Sequence, residues 1–103
     1  MYSRVTLLEI DTMRVGMGEA AALFEEEVVP GLRAQEGYEG AIALATAEGK
    51  GMIITFWDTE EEAQDLSGFA SAELERLVTM FRSPPGRELY EVAFADVDGV
   101  LVA

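Results

Sequence analysis

The stretch Pro30–Ala63, PGLRAQEGYEGAIALATAEGKGMIITFWDTEEEA, holds a helix end, a β-hairpin and the start of a second helix. Gly37 follows Gln35 and Glu36, where a helical pattern stops. Glycine just past a helix end accepts the left-handed backbone that side chains resist. From Tyr38 the pattern turns to period two. Tyr38, Gly40, Ile42, Leu44 and Thr46 share one face of a predicted strand, and Glu39, Ala41, Ala43 and Ala45 the other. Ala47–Gly51 is a polar, glycine-rich turn. A further strand puts Met52, Ile54 and Phe56 on one face and Ile53, Thr55 and Trp57 on the other. Both faces of this hairpin are apolar, whereas a single-layer antiparallel sheet ordinarily leaves one face wet. Thr59 and Glu62 match the S/T-x-x-E capping box, and Glu60–Glu62 suit the positive end of a helix dipole, a structural role for this acidic run.

Working outward, Arg4–Asp11 reads as a strand with Val5 and Leu7 on one face and Thr6, Leu8 and Ile10 on the other. Glu19–Gln35 reads as a helix with Ala20, Phe24, Val28 and Leu32 at four-residue spacing and Glu25–Glu27 towards solvent. Pro30 removes an amide donor inside it, which predicts a kink or a fresh helical turn there. After Glu60, Ser67-Gly68 interrupts the second helix. Ser71 is a candidate N-cap for a continuation over Ala72–Phe81, with an apolar stripe of Leu74, Leu77, Val78 and Phe81. Ser83–Gly86 is a stop, and Glu88–Ala95 a last strand with Tyr90, Val92 and Phe94 on one face. Val100–Val102 reads as a short edge strand or as an arm laid on a partner.

The order strand, helix, strand, strand, helix, strand is the βαββαβ arrangement of a ferredoxin-like α+β fold with an antiparallel sheet. The 103 residues suffice for one domain spanning 1–103. Helices cover one sheet face. The other is too large an apolar patch to leave in water, so the expected solution is a homodimer with two sheets face to face.

Composition narrows the chemistry. Twenty acidic against seven basic residues, a net charge of −13, argue against binding nucleic acid or an anionic membrane surface. The chain contains no Cys, His or Asn, so thiolate and imidazole chemistry, and metal sites built on them, fall outside its repertoire. No apolar run is long enough to span a bilayer, and MYSRVTLLEID does not read as a signal peptide, so a cytoplasmic location is expected.

The segments VVPGLRAQEGYEGAIAL and MIITFWDTEEEA resemble the antibiotic biosynthesis monooxygenase (ABM) domain family of dimeric α+β barrels, above all at Glu36-Gly37-Tyr38-Glu39-Gly40 and Phe56-Trp57-Asp58. The resemblance implies a dimer, a pocket between sheet and helices in each subunit, and, in some relatives, oxidation of quinol-like substrates by oxygen with no flavin or metal. Other relatives open haem with an Asn, a Trp and a His. Here Leu66 and Arg76 stand at the Trp and His positions and no Asn exists, which argues against haem degradation. No cofactor is therefore expected.

The candidate substrate-binding residues are Tyr38, Trp57, Arg76, Arg82 and Tyr90. An indole can stack on an aromatic ligand, a phenol can donate a proton, and a guanidinium can hold an enolate oxygen. Each also has a plain structural role available, in core packing or salt bridging. Thr6 and Thr55 can turn hydroxyls inward, and Met52 and Met80 can fill gaps. No catalytic residue stands out. Three functions stay open: a cofactor-independent monooxygenase acting on an aromatic or quinol-like molecule, a non-catalytic dimeric barrel that binds a small apolar ligand, and a purely structural partner domain.

Overall fold

A computed structural model describes residues 1–64 and 68–96. Strands β1 (Tyr2–Glu9), β2 (Tyr38–Ala45), β3 (Lys50–Trp57) and β4 (Gly86–Glu91) form one sheet in the order β2-β3-β1-β4, with every pair antiparallel. Helical segments α1 (Met17–Leu23), α2 (Val29–Arg33), α3 (Glu60–Ala63) and α4 (Phe69–Arg76) connect the strands. The ferredoxin-like α+β architecture expected from the element order is present. The C-terminal segment Val100–Val102 lies outside the described residues.

At Pro30 the first helix restarts as a fresh helical segment, one of the two outcomes expected there. A π-helical turn, Phe24–Val28, joins α1 to α2, and the Val29 amide reaches back to the Phe24 carbonyl. Pro30 follows at once, so the wider turn sits where the proline ring would crowd the preceding carbonyls. It also explains the strict four-residue stripe. Over the twelve residues from Ala20 to Leu32 an ideal α-helix would rotate such a stripe by about 120°, and one inserted residue cuts that drift to about 20°. Ala20, Val28 and Leu32 are accordingly all buried, and Phe24 is half-buried.

The second helix is shorter and earlier than its periodicity suggests. α4 begins at Phe69 and ends at Arg76, so Ser71 lies inside it and does not cap it. A 3₁₀ turn, Val78–Met80, follows, and Phe81 forms an isolated bridge with Ile10. The Asp11 amide bonds the Met80 carbonyl at 2.8 Å and the Arg82 amide the Glu9 carbonyl at 2.8 Å. Tertiary pairing with the end of β1 has captured residues that local spacing assigned to a helix. β4 likewise ends at Glu91, leaving Phe94 83% exposed beyond the strand. The capping box is formed as expected. Glu62 N–H donates to Thr59 Oγ1 (3.2 Å) and Thr59 N–H to Glu62 Oε1 (3.1 Å). Gly37 adopts φ +82°, and the Glu62 carboxylate lies against it where any Cβ would stand.

Register assigns the faces. Arg4 opposes Thr55 and Thr6 opposes Ile53, and these side chains lie beneath the helices. Val5 opposes Ile54, Leu7 opposes Met52, and Ile42 opposes Ile54 on the helix-free face. Leu7, Leu44 and Tyr90 remain substantially exposed there. One residue of β2 does not follow strict alternation. Tyr38 pairs with Trp57 and Gly40 with Phe56, so Glu39 is the extra residue of a β-bulge. The bulge carries Tyr38 to the helix-covered face, opposite to the side on which period two places it with Gly40, Ile42 and Leu44.

Candidate functional site

The core is divided. One cluster holds Val28, Leu32, Trp57 and Ala63, with Tyr38, Phe69 and Leu77 packed against it. A second holds Ile10, Val15 and Ala20, with Met17, Met80 and Phe81 beside it. Between them, under the helices, runs a cleft with about 90 Å³ of room for the centre of a water-sized sphere. Thr6, Leu8 and Ile53 form its floor, Ala21, Phe24 and Leu77 its roof, and Ala43 and Ala45 its exposed edge at β2. The small residues of β2 leave room that larger side chains would fill.

The polar groups lining the cleft are Arg4, Thr6, Thr55 and Glu73. Arg4 is only 3% exposed. Its Nη1 donates to the Ala63 carbonyl at 2.9 Å, and its guanidinium lies 5.1 Å from the centre of the Trp57 ring. Burial of a guanidinium is tolerated where carbonyl acceptors and an aromatic face replace water. Thr55, also 3% exposed, accepts from Trp57 Nε1 at 2.8 Å and donates to the Arg4 carbonyl at 3.4 Å. Trp57, Thr55 and Arg4 thus form one hydrogen-bonded wall, with Arg4 and Thr55 lining the cleft and Trp57 behind them in the core. Glu73 is bonded to Arg76, which also reaches Glu27 on the π-helical turn at 3.6 Å. The hydrogen bond and charge of Glu73 hold the Arg76 guanidinium above its ordinary pKa.

The sequence-predicted residues do not converge on one point. Trp57 is buried in the first core cluster, and Tyr38 meets it edge-on with ring centres 5.6 Å apart. Burial raises the Tyr38 pKa, opposed by the nearby charge of Arg33. Arg76 is half-exposed and acts on the cleft through Glu73. Arg82 is exposed beyond the 3₁₀ turn. Tyr90 stands on the helix-free face of edge strand β4, where its hydroxyl bonds Glu88 and that bond and charge raise its pKa. Of the threonines and methionines weighed from the sequence, Thr6, Thr55 and Met80 line the cleft from inside, while Met52, on the helix-free face by register, only borders it. Arg4 and Glu73 were missed. The signal for Arg4 was its parity with Thr6, Leu8 and Ile10, an arginine on the otherwise apolar face of a central strand.

Among the described residues, no group of three or more Asp, Glu, His or Cys side chains is placed to hold a metal ion, and no helix is long and apolar enough to cross a membrane.

The fold is that of the antibiotic biosynthesis monooxygenases, and the resemblance stated from the sequence holds at the level of fold. A protein of unknown function from Nitrosomonas europaea, NE2512, superposes with a TM-score of 0.71 at 22% identity, over 92% of this chain and 91% of that one. The monooxygenase from the gene ActVA-Orf6 of Streptomyces coelicolor, solved with nanaomycin D, gives 0.70 at 22% identity, covering 92% and 89%. SnoaB, a cofactor-independent oxygenase from Streptomyces nogalater, gives 0.69 at 13% identity, covering 91% and 94%. No family model and no curated protein sequence matches the chain.

Proposed function

We propose that two copies of this chain pair through their helix-free sheet faces, and that each binds a small, largely apolar molecule in the cleft beneath its helices, in the cytoplasm. The cleft carries this reading: an apolar channel with a few polar groups gathered at one end is the usual form of a small-molecule site. The exposed face bearing Val5, Leu7, Leu44, Ile54 and Tyr90 supports the dimer, because pairing removes it from water. Native mass spectrometry of the purified protein tests both parts. A dimer that takes up one apolar molecule per chain supports the reading, and a monomer that takes up none refutes it.

A second reading is favoured by the polar end of the cleft. Glu73 is a carboxylate able to take a proton, and Arg4 and Thr6 carry donors able to hold an oxyanion. That set suits cofactor-independent oxygenation of an electron-rich aromatic such as a hydroquinone or an anthrone. Glu73 removes a proton from the ring system, and the resulting anion transfers electrons to dioxygen. In the anthrone case one oxygen atom enters as a ring carbonyl and the other leaves as water. Trp57 and Tyr38 support the end of the cleft where that anion would sit, and Arg76 holds Glu73 in place. Oxygen uptake with hydroquinone and anthrone separates the readings. Uptake abolished by Glu73→Gln supports catalysis. Binding without uptake leaves the protein a carrier.

A further inference from the structure

Resting on the binding role proposed above, the cleft's dimensions specify its occupant more closely. We infer that the ligand is one unbranched aliphatic chain ending in a small uncharged polar head, held with the head at Thr6 and Thr55 and the tail towards Ile10 and Met80.

Length comes from two independent rulers. Arg4 and Ile10 both line the cleft, and six strand residues span about 20 Å; Met17 and Leu32 both line it from above, and fifteen helical residues span about 22 Å. Width follows from volume. Spreading about 90 Å³ over about 20 Å leaves roughly 4–5 Å² for the centre of a water-sized sphere, so the channel radius, with the sphere's own 1.4 Å added, is about 2.6 Å. That is the girth of a single extended methylene chain. A fused aromatic system is as thin but several times as wide, and it would cover only part of the floor. The walls agree, since Leu8, Ile10, Val28, Ile53, Leu77 and Met80 are aliphatic.

Polarity sets the direction. Arg4, Thr6, Thr55 and Glu73 belong to the end nearer Trp57, while Ile10, Met17, Ala20, Met80 and Phe81 form an apolar far end. A cation and an anion line the polar end together, and the chain carries −13 overall, so an added anionic head gains no net attraction. A hydroxyl head can donate to Thr55, whose own proton is held by the Arg4 carbonyl, and accept from Thr6.

The test is a homologous series of n-alkanols, followed by the fluorescence of Trp57, the only tryptophan, in the protein as purified. Affinity should rise about fourfold per added methylene, the value for moving a CH₂ fully out of water, until the chain fills the cleft, and then level off. Ala45→Leu, at the exposed edge of the far end, should move the plateau to shorter chains without changing affinity for the shortest alcohols. Thr6→Val should weaken alkanols and leave alkanes of equal length unchanged. Anthrone binding tighter than every alkanol, or affinity independent of chain length, would overturn the chain assignment while preserving a small-molecule site. No uptake of any apolar probe would overturn the site itself.

Discussion

The wall made by Trp57, Thr55 and Arg4 offers a sharp test, because Thr55→Val changes one hydroxyl to a methyl at nearly constant volume. Thr55 is 3% exposed and Trp57 is 3% exposed, so water cannot replace the lost acceptor. The Trp57 Nε1 hydrogen bond, 2.8 Å in the native protein, would be left unmade. A buried donor stripped of its partner costs about 1–3 kcal/mol, whereas the weaker 3.4 Å bond to the Arg4 carbonyl adds little because a carbonyl tolerates fewer partners. For a domain of this size that loss lowers Tm by about 4–8 °C per kcal/mol. Thermal and urea unfolding, followed by circular dichroism, would measure it. Thr55→Ser keeps the oxygen and isolates the effect of the methyl group. Trp57→Phe in both backgrounds completes a double-mutant cycle, in which Thr55→Val should cost much less once the indole N–H is gone. A Thr55→Val protein within about 0.5 kcal/mol of the parent, with no coupling to Trp57, would refute a structural role for this hydrogen bond.

Other outcomes follow from single contacts. Ile54→Asp places a charge at the middle of the helix-free face, and size-exclusion chromatography should show a monomer if that face joins two copies. Gly49→Ala should destabilise by about 2 kcal/mol or more, read by urea unfolding, because Gly49 sits at φ +102° and a Cβ would meet the Ile10 carbonyl. The Glu39 carboxyl titrates above its ordinary value of 4.5, first because it shares a hydrogen bond with Asp58 and then because of the charges of Asp58 and Glu62. An acid whose folded pKa is raised contributes stability that is complete below the unfolded value and is lost as pH rises through the folded one. Glu39→Gln should therefore raise Tm at neutral pH and confer no gain below pH 4.5.

Much of the architecture was determined by local chemistry that a sequence displays directly. Gly37 and the Thr59–Glu62 capping box act within a few residues of themselves, so the turn into β2 and the start of α3 were legible from the sequence alone. The four-residue stripe from Ala20 to Leu32, running through Pro30, was legible as one buried face, whereas the π-helical turn that keeps it on one side came from the structure. The two-faced apolar pattern of the hairpin pointed to cover on both sides of the sheet, but not to which side the helices take. That choice depends on register across β1 and β3, where Arg4 meets Thr55 and Val5 meets Ile54. Only the tertiary structure decided the rest. The Glu39 bulge moved Tyr38 to the opposite face, and the bridge from Ile10 to Phe81 ended the second helix early. The cleft itself is a gap between two core clusters assembled from residues far apart in the chain. Period-two and helical patterns report which residues leave water. The volume left between them depends on how distant side chains pack, and so do the neighbours that make a buried arginine tolerable.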